Sequence, residues 1–175
     1  HTYNISSSNS QTKKMNLAEM DLVKLANSLT IEYDSLRAWV IPSLMEVLQT
    51  NKLREYPQNF FGFGRVFKKD KNTETGIEEN DRLAITLCNK DADYTSIKQV
   101  LESIMGSIGI DYNVEKTNHE SFIPGRVGRV NVKGKDIAYI GEIHPSVLEN
   151  FELEMPVATL EINITELFGL IKDEF

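Results

Sequence analysis

The chain has 175 residues, 41% of them hydrophobic, which is enough for one well-buried domain and too short for two ordinary ones. A net charge of −7 and a pI near 5.0 argue against a surface that is wholly a nucleic-acid footprint, since counterion release needs clustered Lys and Arg; a local basic patch stays open. The single Cys88 excludes an internal disulfide framework, and no apolar run reaches the roughly 18 residues of a membrane helix, so a reducing, cytoplasmic setting is expected.

The opening stretch HTYNISSSNSQTKKMN lacks the apolar centre of a signal peptide and does not begin with Met, so His1 is read as a cut through a longer polypeptide. A short strand is predicted at Thr2 to Ser6, followed by a helix or loop through Lys14. Asp21 to Ala26, anchored by Leu22, Val23 and Leu25, reads as a strand, and Asn27 can close an Asx-type turn after it. Ser35 to Ala38 is expected to be extended, with a helix opening near Pro42, where a proline without an N–H fits the first turn. Val40, Leu44, Val47 and Leu48 give that helix one apolar face, which should pack on a sheet.

A long aromatic strand is predicted from Asn59 to Phe67, at the centre of that sheet. Alternation puts Phe61, Phe63, Arg65 and Phe67 on one face and Phe60, Gly62, Gly64 and Val66 on the other. The two glycines leave room for a close approach, by a neighbouring helix or by a ligand. Lys68 to Asp81 is polar, contains Gly76 and reads as an exposed loop. Beyond it, Arg82 to Cys88 alternates Leu83, Ile85 and Leu87 against Ala84, Thr86 and Cys88, a strand that should pair antiparallel with the first.

Tyr94 to Ile108 carries Ile97, Val100, Leu101, Ile104 and Ile108 at helical spacing, with Asp93 as N-cap and Gly109 as the stop. Ile110, Tyr112 and Val114 alternate as a strand. Lys133 to Asp136 reads as the turn of a hairpin joining Gly128 to Val132 with Ile137 to Gly141. A short helix at Pro145 to Asn150, a strand at Val157 to Ile162 and a closing helix at Thr165 to Ile171 complete an α+β pattern, an antiparallel sheet backed by helices.

The segments LANSLTIEYDSLR, IPSLMEVLQTN and FFGFGRVF, then FIPGRVGRV, IAYIGEIHPSVLENFEL and PVATLEINI, occur in an order and spacing that resemble the catalytic-like core domain of phenylalanyl-tRNA synthetase beta subunits, in their archaeal and eukaryotic form. The family reads Asn-Pro where this chain has Asn27-Ser28. The resemblance covers nearly the whole chain and implies one class II aminoacyl-tRNA synthetase-like core domain over residues 1–175. In the family, two alpha and two beta subunits associate through motif-1 elements, a bundle of long helices.

Catalytic members of class II place an Arg on the motif-2 strand against the ATP alpha-phosphate and a Glu two residues later on the adenine side. Aligned on Gly64 to Phe67, Lys68 stands where that Arg would be and Asp70 where the Glu would be. Neither exchange preserves the chemistry, because a guanidinium donates a planar pair of hydrogen bonds and an ammonium does not. The stretch comparable to motif 3, Ala158 to Ile164, has neither Arg nor Gly. The resemblance thus implies a fold without catalysis of its own, with no catalytic, cofactor-binding or metal residues beyond the degenerate Lys68 and Asp70.

Other constellations are weaker. His119 and His144 have no partner at zinc-ligand spacing, His144 precedes Pro145 as a residue that starts a helix, and Cys88 reads as a buried, inert thiol. There is no Gly-x-Ser-x-Gly elbow and no phosphate-binding glycine loop. Arg65, Lys68, Lys69 and Lys71 are offset by Asp70, Glu74, Glu78, Glu79 and Asp81, a charge-balanced loop. Arg126 and Arg129 are expected to pair with carboxylates such as Glu142 or Glu161 inside the fold.

The resemblance therefore implies an assembly domain that supports the catalytic alpha subunit in an (alpha-beta)2 heterotetramer. ATP, magnesium and tRNA(Phe) would be used by the holoenzyme, and this domain would need no cofactor. The alternatives are a residual ATP-dependent ligase or adenylate-forming domain, and an RNA-binding module built on the basic residues near Lys68.

Overall fold

The computed structural model describes residues 2–28 and 30–172. His1, where the sequence suggests a cut, and Leu29 of the LANSLTIEYDSLR segment lie outside the described residues. The described chain forms β1 (Ile5–Ser6), α1 (Ser8–Gln11), β2 (Ser35–Leu36), α2 (Ile41–Asn51), β3 (Gln58–Lys69), β4 (Ile77–Cys88), α3 (Tyr94–Ser107), β5 (Asn113–Lys116), β6 (Phe122–Val132), β7 (Lys135–Ile143), α4 (Pro145–Asn150), β8 (Val157–Asn163) and α5 (Ile164–Ile171). Single 3-10 turns occupy Lys13–Met15 and Ile31–Tyr33.

Six strands form one sheet in the order β3-β4-β8-β7-β6-β5, every pair antiparallel. The α+β expectation holds. The aromatic strand β3 stands at the edge of the sheet, however, and not at its centre, because β8 inserts between β4 and β7 and takes the middle. Asp21 to Ala26 also departs from expectation: it contributes a single bridge, Lys24 to Ser35, and no strand. The predicted loop at Lys68 to Asp81 shrinks to residues 70–76. β3 and β4 run on past the apolar alternation, since backbone pairing of Lys68 with Glu78 and Lys69 with Ile77 needs no apolar side chains.

Local signals explain most helix ends. Asp93 accepts from Ser96 N at 2.7 Å and opens α3, and Gly109, at φ +68, lets the chain leave it. Lys133 and Gly134, at φ +50 and +84, form a two-residue turn whose twist matches its strands, so the hairpin of β6 and β7 is tighter than the four-residue turn expected.

The sheet separates two apolar clusters. On one face, Val66, Ala84, Cys88 and Val157 meet Val40, Ile41, Leu44, Met45 and Leu48 of α2 and the start of the chain. On the other, Ala138, Ile140, Leu160 and Ile162 meet Ile97, Leu101 and Met105 of α3 and Leu167 and Ile171 of α5. The space beside the β3 glycines goes to protein. A Cβ on Gly62 would stand 3.2 Å from both Leu44 and Val40, and one on Gly64 would fall 2.1 Å from Arg37 Nη2.

Candidate functional site

A cleft of about 550 Å³ opens on the α2 face of the sheet, beyond the N-terminal end of α2. Alternation along the strands delivers its walls: Val66 and Lys68 from β3, Glu78, Asn80 and Arg82 from β4, Tyr139 from β7 and Asn163 at the end of β8. Trp39 and His119 close one side.

The most connected group beside this cleft is Glu161 of β8, which is nearly fully buried. Its Oε2 accepts from the backbone N–H groups of Val40 and Ile41, both at 2.9 Å, at the start of α2. Its Oε1 accepts from Arg82 Nη1 at 3.1 Å. A carboxylate at a helix N-terminus satisfies donors that the helix itself leaves unpaired. Glu142 of β7 repeats the arrangement for α3: Oε1 accepts from Tyr94 N at 2.9 Å and Oε2 from Arg126 Nη1 at 2.7 Å. Both carboxylates thereby fasten a helix to the sheet.

The expected pairing with carboxylates is found for both arginines, Arg126 with Glu142 and Arg129 with Asp136 in place of the two named. Arg129 lies over the Tyr139 ring, 4.0 Å from its centre, and pairs with Asp136 at 3.5 Å. The partner of Glu161 is Arg82, which sequence reasoning placed only as the start of a strand. A lone Arg at the head of an apolar alternation was the available signal, but its partner lies 79 residues away.

Lys68 faces the cleft, exposed, opposite Glu78, and its side chain has no hydrogen bond or ion pair among the described residues. Asp70 lies outside the cleft lining. Its Oδ1 accepts from Asn72 N and Nδ2, both at 2.9 Å, and its backbone N–H donates to Gly76 O, so it folds the hairpin turn. Around it, Arg65 pairs with Glu79 at 2.8 Å and Asp81 at 3.1 Å, and Lys69 pairs with Asp21. The loop is charge-balanced, as its composition suggested.

The other candidates are structural. His119 packs against Trp39, Phe122 and Tyr139, with ring centroids 5.6, 5.2 and 5.0 Å away, and burial lowers its pKa. Its Nδ1 accepts from Ser121 N, so the neutral ring carries its proton on Nε2. His144 caps α4 by accepting from Ser146 N. Cys88 is fully buried and its thiol is pushed up to about 11, which leaves almost no thiolate at neutral pH. Among the described residues no group of three His, Cys, Asp or Glu side chains could hold a metal ion, and no helix is long and apolar enough to cross a membrane.

The arrangement joins helices to a sheet through buried carboxylates, and of the cleft's three cations Lys69 is paired with Asp21 and Arg82 with Glu161, which leaves the Lys68 ammonium facing the open cleft. No activated nucleophile and no carboxylate pair free to exchange protons is visible there among the described residues. Comparison with known proteins agrees with the sequence resemblance. Residues 1–164 match the family described as the phenylalanyl tRNA synthetase beta chain CLM domain. A phenylalanine–tRNA ligase beta subunit of Pyrococcus furiosus is 42% identical over 167 residues, 95% of this chain and 30% of the relative's length. Those of Thermococcus onnurineus and Methanopyrus kandleri are each 38% identical, over 95% and 83% of this chain, respectively. The chain therefore spans between a quarter and a third of the length of these relatives, 30%, 32% and 25% respectively.

Proposed function

Since the chain belongs to the phenylalanyl-tRNA synthetase beta chain CLM domain family, we propose that it is a non-catalytic, class II synthetase-like core domain that supports the catalytic alpha subunit of phenylalanine–tRNA ligase. The relatives it matches are beta subunits by name, and a beta subunit implies an alpha partner. In this reading residues 1–175 form one domain of the longer subunit, in the cytoplasm. It joins an (alpha-beta)2 heterotetramer, and ATP, magnesium and tRNA(Phe) are handled by the assembled enzyme. Its contribution to rate is positional, because misplacing a catalytic group by about 1 Å can cost roughly 100-fold even when the cause is remote.

The observation that carries the reading is the fate of the charged residues around the cleft. Arg82 is committed to Glu161, Lys69 to Asp21, Glu161 to the start of α2, and Asp70 to a turn, which leaves Lys68 as the one cleft cation without a side-chain partner among the described residues, where a triphosphate needs several fixed cations. The same commitments disfavour the residual ligase. The RNA-binding reading is disfavoured because Arg65 and Lys69 are engaged by carboxylates on a chain of net charge −7. Phenylalanine-dependent exchange of pyrophosphate into ATP by this chain alone is the test. No exchange is expected, and exchange that Lys68→Ala abolishes would establish the residual enzyme instead.

A further inference from the structure

The cleft holds more hydrogen-bond donors than the fold uses. Of the side chains that line it, Lys68 Nζ, the Tyr139 hydroxyl and the Nε2–H of neutral His119 have no partner among the described residues. Arg82 gives Nη1 to Glu161 Oε1 at 3.1 Å, but its Nε is buried without an acceptor. The acceptors are fewer and mostly engaged. Glu78 Oε1 accepts from Asn80 Nδ2 at 3.0 Å, Asn163 Oδ1 from Glu166 N at 3.1 Å, and Asp21 pairs with Lys69. A buried guanidinium N–H left unpaired is unfavourable and calls for an oxygen from outside the fold.

A smaller recess of about 60 Å³ adjoins the cleft and shares Trp39, Arg82, Tyr139 and Asn163 with it. Arg129 lines it too, lying over the Tyr139 ring. Its acids are already satisfied. Both Glu161 oxygens accept hydrogen bonds, and Asp136 takes Arg129 and Asn131. Such a volume has room for a few waters or one carboxylate, and none for a chain of phosphates.

We propose that cleft and recess together bind a small carboxylic acid with a flat apolar body, the carboxylate reaching Arg82 Nε and the Tyr139 hydroxyl, the body lying along Trp39, Val66 and Phe67. A cleft of about 550 Å³ is ample for such a molecule. Lys68, the one cleft cation without a side-chain partner, suits a single negative charge. A chain of net charge −7 repels anions in general, so binding of one reports on these donors. The inference goes beyond the scaffold reading, and neither depends on the other.

The test is titration of this chain with benzoate, with benzamide, its uncharged counterpart, and with acetate, the charge without the body. The side-chain N–H resonance of Trp39, the single tryptophan, reads occupancy, because Trp39 lines both cavities. Benzoate is expected to bind with a Kd of about 1 mM, and benzamide and acetate at least about tenfold more weakly. Arg82 stays in place because it holds Glu161. Lys68→Met and Tyr139→Phe should each weaken benzoate roughly fivefold, while Lys71→Met, which removes a charge outside the cleft lining, changes nothing, all variants melting as cooperatively as wild type. No response to benzoate up to about 50 mM overturns the proposal. So does benzamide binding as well as benzoate, which would make the cleft merely apolar, or acetate doing so, which would leave an adventitious ion only. Benzoate affinity unchanged in both Lys68→Met and Tyr139→Phe would place the ligand elsewhere and equally overturn it.

Discussion

Gly64→Ala tests whether β3 is shaped around a single buried side chain. Arg37 is fully buried; its Nε donates to Arg65 O at 2.8 Å, Nη1 to Thr2 Oγ1 at 2.8 Å and Nη2 to Asn4 Oδ1 at 3.1 Å. A methyl group on Gly64 would stand 2.1 Å from Nη2, so the guanidinium must leave and these bonds must break together. Disrupting a buried, hydrogen-bonded charge costs about 3–5 kcal/mol, and replacing glycine by alanine in a strand returns about 0.5–1. A net loss of about 3 kcal/mol lowers the melting temperature of a chain of this size by roughly 6–12 °C. Urea unfolding followed by the fluorescence of Trp39, the single tryptophan, measures it. In an Arg37→Met background the obstacle is gone, and Gly64→Ala should cost less than about 1 kcal/mol. The reasoning fails if Gly64→Ala is equally costly in both backgrounds, or costs under about 1 kcal/mol in the wild type.

Three further outcomes are expected. Glu161→Ala leaves the N–H groups of Val40 and Ile41 without an acceptor and Arg82 without its counter-charge, and should cost about 3–5 kcal/mol in the same assay; a loss under about 1 would show that Glu161 does not anchor α2. Burial depresses the pKa of His119 below its value of about 6.5 in the unfolded chain, so the stability it supplies is present above that pH and is lost as pH falls through the lower folded value. His119→Gln should therefore lessen the fall of stability as pH drops below about 6.5, and an unchanged slope there would contradict this. The Cys88 thiol, held at about 11, has the opposite consequence. Its contribution is complete below the unfolded value of about 8.5 and declines as pH rises from there, so Cys88→Ala should lessen the alkaline loss of stability, and an equal loss would count against it.

Which parts of this molecule could be read in advance follows from the range of the forces. α3 and α4 were legible because their caps, Asp93 and His144, act within three residues, whereas the cap of α5, Asn163, shows itself only in the structure, where its Oδ1 accepts from Glu166 N. The alternation of β3 was legible too. Gly62 and Val66 are buried while Phe61 and Phe63 are exposed, so the period was right and the central position was not. Position in the sheet depends on β8, about 75 residues after β4 begins to pair with it, and no local pattern encodes that insertion. The same distance hid the Arg82 to Glu161 pair and with it the reason α2 starts at Ile41. The hairpin outran its apolar pattern because Arg65, Glu79 and Asp81 hold it through cross-strand ion pairs.

The scaffold assignment is tested most directly by mixing this chain with purified alpha subunit, reading association by light scattering and phenylalanyl-adenylate formation by pyrophosphate exchange. The account predicts a stable complex with exchange in the mixture and none from this chain alone. No association, together with exchange by the isolated chain, would contradict it.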